Sequence, residues 1–506
     1  MTEKEFVERL ASKGGKAYIA GGYVRDKIMG RHPHDKDYVV AGISEEDFLD
    51  LFEGTDINPE RRTSFETFCK RVSGQLKKVG GSFPVYLMDI DGKTCEVAFA
   101  RKERKTGDGY TGFSVEFDKS TTIEKDLFRR DTTINSMALE LPSERLIDPY
   151  NGRMDIGIHL IRATSKHFLE DPVRALRAAR QSAELGFTIE SETLKQMGKC
   201  KEELKKEPLE RIFKEMEKAL KSRRPSTFFN NLLFAELLDD LFPELFILLD
   251  KEQPRDYHPE GNVYNHSMIV LDLVSYKTNS PETRFAALVH DIGKGKTPDD
   301  MIPHHYQHDK FGLEVMDEWN KRMTLPNSWM KTAKFVIKNH MKAAKVEHPG
   351  KMVDLLMELD SKNLSVHEFS IIIEADSGFL PEYLKYGDSL INLMKCIDGR
   401  KAPESLKGEE IGNWIRQARI EIFREFFRVK NSLKDDGLMP YELEESITEI
   451  LISEFQDRFL KDGSKKFLIG KEDSEDFSEF TSPAEAKIFS AIDQLAKENY
   501  AQEYET

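Results

Sequence analysis

The spacing of apolar and polar positions changes character along the chain. In the first third, short apolar runs are separated by turn residues. Tyr18-Ile19-Ala20 and Tyr38-Val39-Val40 each read as a strand. Apolar runs over Phe83–Ile90 and Thr94–Ala100 flank Asp91-Gly92, a strong hairpin turn signal. Between these runs, residues 2–11, 24–29 and 44–52 carry the spacing of short helices, the last with Ser44 as its N-cap and Glu46 nearby. From about residue 168 the period becomes helical. Residues 168–187 hold a helix start, 208–220 read as an amphipathic helix, the apolar stretch 228–242 continues the helical region, and i,i+3/i+4 apolar spacing continues past residue 430. The pattern predicts an α+β head with a small mixed sheet, followed by helices throughout.

At 506 residues the chain is long enough for roughly three domains. Hydrophobic content of 39% supports packed cores, and 33% charged residues with a mean hydropathy of −0.54 point to a soluble chain. No apolar run approaches the roughly 18 residues of a membrane helix, and the charged start M-T-E-K-E-F-V-E-R-L lacks a signal-peptide core. Cys69, Cys95, Cys200 and Cys396 form no pair motif, which suggests reduced thiols in a cytoplasm. A net charge of −15 argues against nucleic-acid binding by default. The sign that matters is local, however, and basic density rises at residues 101–105, 199–224 and 400–428.

Candidate chemistry concentrates in four stretches. The first is Y-I-A-G-G-Y-V-R-D-K-I-M-G-R-H-P-H-D-K-D-Y-V-V, residues 18–40. A strand, the Gly21-Gly22 turn and a helix start present free backbone N–H groups to phosphate, with the Arg25 cation beside them. On extended backbone Asp35 and Asp37 share a face, and two such carboxylates repel unless a cation sits between them. Mg²⁺, bound by carboxylates and substrate phosphates, is the natural occupant. The second is F-R-R-D-T-T-I-N-S-M-A, residues 128–138, read as a polar cluster at a helix start with Arg129, Arg130, Asp131, Thr133 and Asn135. The third is F-L-E-D-P-V-R-A-L-R-A-A-R-Q-S-A-E-L-G-F, residues 168–187. There Asp171 and Pro172 suit a helix start, Glu170 and Arg174 are spaced i,i+4, and Arg174, Arg177 and Arg180 recur every three residues. The fourth is rich in histidine: His266, the doublet His290-Asp291 inside F-A-A-L-V-H-D-I-G-K-G, and Asp376, with His308 and His340 as further candidates. Imidazoles and carboxylates in this combination suit a divalent metal. A Gly-rich basic stretch, residues 101–113, reads as a mobile loop near the first site.

The first three stretches resemble the motifs of polymerase-β-type nucleotidyltransferases, in the class that holds bacterial tRNA CCA-adding enzymes and poly(A) polymerases. The resemblance implies that Asp35 and Asp37 hold catalytic Mg²⁺, with Glu96 as a third carboxylate on a neighbouring strand. It implies that Gly21, Gly22 and Arg25 contact the incoming triphosphate, and that Arg130, Asp131 and Asn135 belong to a ribose-reading motif. It makes Asp171 and Arg174 base readers that replace a nucleic-acid template, and Arg177 and Arg180 nucleotide or phosphate contacts. The order H…H-D…D resembles HD phosphohydrolases, which implies a divalent metal such as Ni²⁺ or Mn²⁺ at His266, His290, Asp291 and Asp376, with Lys294 near it. A head followed by such a domain is similar to long bacterial CCA enzymes that also act as 2′,3′-cyclic phosphodiesterase and 2′-nucleotidase or phosphatase.

The implied organisation is a nucleotidyltransferase head (1–145), a neck with the nucleotide-template helix (146–250), an HD domain (251–380) and a helical C-terminal region (381–506) that contacts tRNA. The implied partners are tRNA, CTP and ATP, with no membrane, in a cytoplasmic monomer or dimer. Two alternatives remain at this stage: a poly(A) polymerase, and a nucleotide hydrolase with a non-catalytic RNA-binding head.

Overall fold

A computed structural model describes residues 1–33, 35–52, 77–79, 85–105, 113–116, 119–362, 364–435 and 448–453. It divides into two compact units, Met1–Arg284 with Ile292–Leu325, and Phe285–Asp291 with the described residues from Pro326 onward.

The first unit opens with α1 (Glu3–Ser12). Thr2 accepts from the Glu5 N–H, and the Glu5 side chain answers back, closing a capping box. Strand β1 (Lys16–Ala20) leads to Gly21, whose φ of +82° needs a residue without Cβ, and then to α2 (Gly22–Ile28). Strand β2 (Asp37–Ala41) is followed by α3 (Glu45–Phe52), capped by Ser44, whose Oγ accepts from the Asp47 N–H. Strands β3 (Lys77–Val79), β4 (Val85–Ile90) and β5 (Lys93–Phe99) come next. Asp91 and Gly92 both have positive φ, as the expected hairpin turn between β4 and β5 requires. Strands β6 (Lys102–Lys105) and β7 (Phe113–Glu116) pair as a separate ribbon. Of the expected mobile loop, residues 106–112 lie outside the described residues.

After α4 (Ile123–Phe128), β8 (Ala138–Glu140) and β9 (Arg145–Ile147) complete a seven-stranded sheet in the order β3-β4-β5-β2-β1-β8-β9. The sheet is mixed: β2 and β5 run parallel, and the other neighbours are antiparallel. Strands β1 and β2 are buried from their second residue onward, because both faces of the sheet are covered. One face packs Tyr18, Ala20, Val39 and Ala41 against Ile123 and Leu127 of α4. On the other, Phe6, Phe48, Phe52, Tyr86 and Phe99 form an aromatic cluster beside Tyr38. Burying each of these rings stabilises the head by about 1.5–3 kcal/mol.

The polar stretch at residues 128–138 departs from the expected helix start. Helix α4 ends on its first residue, Phe128, Thr133–Asn135 is a single 3₁₀ turn, and the chain enters β8 after two more residues. Asp131 accepts from the Thr132 N–H but caps no helix running to Met137. Helices then follow: α5 (Gly152–Gly157), α6 (Val173–Leu185), α7 (Ser191–Lys199), α8 (Lys201–Leu204) and α9 (Leu209–Leu220). Gly186, with φ +74°, ends α6 as a left-handed cap. The unit continues through Ser226–Phe234 and Val263–Ser275. A Cβ at Gly293 would meet the His308 carbonyl oxygen at 1.9 Å, so that glycine allows two backbones to touch.

The second unit is helical, with Asn327–Lys345, Pro349–Ser361, Val366–Ser377, Gly387–Lys395 and the 27-residue helix Glu409–Asp435. Its core includes Leu356, Leu359, Phe369, Ile372, Leu390, Met394, Phe423 and Phe426. Most of the chain past residue 435, where further helices were expected, lies outside the described residues. Among the described residues no helix is long and apolar enough to cross a membrane.

Candidate functional site

The head site lies at the start of β2. The strand begins at Asp37, so Asp35 stands two residues before it rather than within it. Register supplies the third carboxylate: β2 and β5 are parallel, and Asp37 is the Cα partner of Glu96. Both side chains lie at exposed positions, yet surrounding protein crowds them. That crowding raises the carboxyl pKa of Asp37; Arg130 opposes the shift and Asp35 adds to it. Glu96 is raised by the same crowding and then by Asp37 and Asp35. Three carboxylates therefore share one field, and a hard divalent cation is the group that would relieve it.

The cations beside this cluster are held in place. Asp126, buried at the end of α4, accepts from Arg129 Nη2 at 2.6 Å and from Arg130 Nε and Nη2 at 3.3 and 3.2 Å. The two arginines hold its carboxyl below the usual range against the effect of burial. Arg130 thereby stands where a Cβ on Gly21 would meet its Nη1 at 3.0 Å, and close enough to Asp37 to offset its shift. Sequence reading passed over Asp126; its only signal was the i,i+3 and i,i+4 spacing to two arginines. Arg25 donates to Asn135 Oδ1 at 3.0 Å and to Asp26 at 2.8 Å. Gly22 lies beside that guanidinium.

A buried polar chain ties this turn to α6. Asn135 Nδ2 lies 3.4 Å from Asp131 Oδ1, and the other Asp131 oxygen accepts from Arg177 Nε at 2.8 Å and Gln181 Nε2 at 3.1 Å. Gln181 Oε1 in turn accepts from Thr132 Oγ1 at 2.8 Å. Burial opposes the charge on Asp131, but Arg177 and these donors hold its carboxyl far below the usual range. Asp131 and Arg177 are thus each other's partners, and Arg177 keeps an exposed flank. Gln181 was another residue the sequence left unmarked.

Helix α6 is anchored from α9. Helix α6 begins at Val173 with Pro172 at its N-cap, one residue later than expected; Asp171 Oδ1 still accepts from the Val173 N–H, and both its oxygens accept from Arg211 Nη2 at 3.2 Å. Arg174 is buried and donates to the His167 carbonyl, while Glu170 meets His167 at 2.8 Å. Arg180 is taken up by Glu215 at 2.6 Å and Glu184 at 2.7 Å, which joins α6 to α9.

In the second unit, His290 Nε2 lies 3.3 Å from Asp291 Oδ2 and 3.4 Å from Asp376 Oδ1, and His340 Nε2 lies 3.4 Å from Asp291 Oδ1. Ligand atoms of His290, His340 and Asp376 all fall within 4.8 Å of one another. His290 Nδ1 faces the Ala287 carbonyl at 2.7 Å, and His340 Nδ1 faces Ile337 at 3.1 Å. A carbonyl only accepts, so each Nδ1 carries the proton and each Nε2 faces the cluster. Burial opposes charge on His290, but Asp291 and Asp376 push its pKa up to about 10. A metal cation would supply that positive charge instead, and the donor set fits one. His340 joins His290, Asp291 and Asp376 here. His266 belongs to the first unit, where its Nδ1 meets Glu260 Oε1 at 2.7 Å and the His258 ring lies 4.8 Å away. Lys294, also in the first unit, is buried and donates to Gln253 Oε1 at 2.7 Å.

Comparison with known proteins agrees with this geometry. Residues 17–162 match the poly A polymerase head domain, residues 186–248 a probable RNA- and SrmB-binding site of polymerase A, and residues 263–369 the HD domain. The multifunctional CCA protein of Methylococcus capsulatus is 35% identical over 445 residues, covering 84% of this chain and 98% of the relative. That of Hahella chejuensis is 37% identical over 426 residues, covering 81% and 95%. The fold resembles the crystal structure of the Bacillus stearothermophilus CCA-adding enzyme in complex with CTP. The TM-score is 0.53 at 21% identity, with 83% of this chain and 90% of that one covered. Fold and site together define a nucleotidyltransferase with a polymerase-β-type head joined to an HD domain. The chain belongs to the family of multifunctional CCA proteins.

Proposed function

We propose that this protein adds C, C and A in turn to the 3′ end of tRNA, using CTP and ATP without a nucleic-acid template. The observation that carries the reading is the carboxylate set Asp35, Asp37 and Glu96 standing beside the Gly21 turn and Arg130. In the reaction the tRNA 3′-oxygen forms a bond to the α-phosphorus, the α–β bridging bond breaks, and pyrophosphate leaves. Asp35 and Asp37, supported by Glu96, would hold Mg²⁺, which neutralises the triphosphate and acidifies the attacking hydroxyl when bound. Gly21 and Gly22 let backbone approach the phosphates, and Arg25 and Arg130 supply fixed positive charge. The Asn135–Asp131–Arg177 chain frames the ribose side.

Base choice falls to Asp171 and Arg174. Cytosine and adenine both present an exocyclic amine beside a ring acceptor, which an Asp–Arg pair matches; uracil and guanine reverse the pattern. Among the described residues Asp171 Oδ2 accepts from Arg211 alone, and so it keeps capacity for an amine. Arg180 contributes by holding α6.

We further propose that His290, Asp291, Asp376 and His340 hold a divalent metal such as Ni²⁺ or Mn²⁺ for phosphohydrolase chemistry of the 2′,3′-cyclic phosphodiesterase and 2′-nucleotidase or phosphatase type. The HD resemblance would enlist His266 as well. The proposed division of labour is head (1–145), neck (146–250), HD domain (251–380) and a tRNA-contacting C-terminal region (381–506).

Transcripts of tRNA ending before CCA, after C and after CC, each given CTP or ATP alone, test the main reading. It expects CTP to extend the first two and ATP only the third. ATP addition to every RNA, with no use of CTP, would make the protein a poly(A) polymerase instead.

A further inference from the structure

The carboxylates of the head site alternate with two residues that point the other way. Tyr38, next to Asp37 on β2, faces away from it, and Lys36 just ahead of the strand reaches the same side. Both are gripped by one side chain: Glu3 Oε2 accepts from Lys36 Nζ at 2.5 Å and from Tyr38 Oη at 2.6 Å. Glu3 lies in the first turn of α1, outside the stretch that matches the poly A polymerase head. Its backbone N–H donates to Asp91 Oδ1 at 3.1 Å, and the Asp91 N–H donates to the Met1 carbonyl at 2.9 Å. Asp91 is the turn of the β4–β5 hairpin, and β5 carries Glu96. One residue therefore ties together, from behind, the strand that bears Asp37 and the hairpin that bears Glu96. The Phe6 ring, one turn along α1, packs edge-on against Tyr38 with centroids 5.5 Å apart and fixes the helix on the same strand.

We propose that Glu3 is a positioning residue for the metal-holding carboxylates: it sets the spacing between the Asp35–Asp37 segment and Glu96, and hence the affinity of the site for its divalent cation. The proposal rests on the reading of the head given under Proposed function. Replacing Glu3 by Ala releases Lys36 Nζ and Tyr38 Oη from their shared acceptor, with Lys36 next to both aspartates in the chain, and so cuts the grip on the β2 side while the backbone N–H bond to Asp91 stays. The ligand set stays chemically intact while its geometry relaxes.

The test uses the full chain with Glu3→Ala, Glu3→Gln and Tyr38→Phe. Three readouts are taken: the Mg²⁺ dependence of CTP incorporation, Mn²⁺ binding followed by electron paramagnetic resonance with a non-reactive CTP analogue, and the melting temperature. Outer contacts of metal ligands typically change affinity about 10–100-fold, and Glu3 acts through backbone, so Glu3→Ala should weaken Mn²⁺ binding and raise the half-saturating Mg²⁺ about tenfold. Glu3→Gln and Tyr38→Phe each keep part of the grip and should fall between Glu3→Ala and wild type; they carry the test if Glu3→Ala does not fold. The KM for CTP at saturating Mg²⁺ should stay within about twofold of wild type, because no nucleotide contact changes. Variants that lose melting temperature with unchanged Mg²⁺ and Mn²⁺ dependence would reduce Glu3 to a packing residue and overturn the proposal. Asp37→Asn serves as the reference. If it retains incorporation, the head reading itself fails; if it is inactive while the Glu3 variants keep normal metal dependence, only the positioning role fails.

Discussion

Asp131 shows what a buried charge does here. Its carboxylate is almost fully enclosed and accepts from a backbone N–H, an arginine and a glutamine. Asp131→Asn keeps the shape but removes the charge that Arg177 faces. Arg177 is partly exposed, so solvent screening trims the loss to about 1–3 kcal/mol. The pH dependence has a definite sign. The folded carboxyl titrates below its unfolded value of about 4, so its contribution is fully present above about pH 4 and fades as pH falls toward the folded value. Denaturation of wild type and Asp131→Asn at pH 7 should therefore show a gap in stability that closes on acidification. A gap that stays constant to pH 3 would mean the residue acts through shape rather than charge.

At the scale of elements, α6 and α9 form one clamp. Arg180 joins them near the middle of α6 and Arg211 joins them at its start. The two contacts differ in consequence. Arg180 has carboxylates on two sides and little exposure, whereas the Arg211–Asp171 pair is half-exposed. Arg211 also pairs with the buried Glu207, so Arg211→Ala should cost about 1–3 kcal/mol of stability. It should also let Asp171 swing, and misplacing a reading group weakens discrimination on the order of tenfold or more. Incorporation of CTP against UTP on a transcript lacking CCA measures this, and unchanged discrimination would separate Arg211 from base choice. This clamp was only half legible beforehand. The D-P start and the threefold arginine spacing could be read because the helix period fixes which neighbours share a face; strand alternation does not reach Asp35, which precedes β2. Asp126 could have been found by its i,i+4 arginine. Gln181, Arg211 and Glu3 could not, because their partners lie 33–50 residues away and only tertiary pairing brings them together. The stretch around residues 128–138 misled for a related reason: its polar residues look like a helix cap, but β8 pairing with β1 claims the segment.

For the whole molecule, each compact unit has its own core and its own chemistry-bearing cluster. The head carboxylates lie in the first unit, Asp37 and Glu96 on strands fixed by the mixed sheet and Asp35 just ahead of one. His290, His340, Asp291 and Asp376 lie in the second, with His340 and Asp376 on two of its helices. These four side chains take no part in the strand pairing of the head sheet. His290→Ala removes a buried imidazole whose Nε2 faces two carboxylates, so it should lower metal-dependent hydrolysis of 2′,3′-cyclic AMP by more than about 100-fold, beyond what an outer contact costs. Asp291→Ala should do the same, and in both variants CTP incorporation into tRNA should remain within about twofold of wild type. Hydrolysis that survives both changes would defeat the assignment of this cluster as a phosphohydrolase site. Incorporation that falls in step with hydrolysis would show instead that the two chemistries are linked.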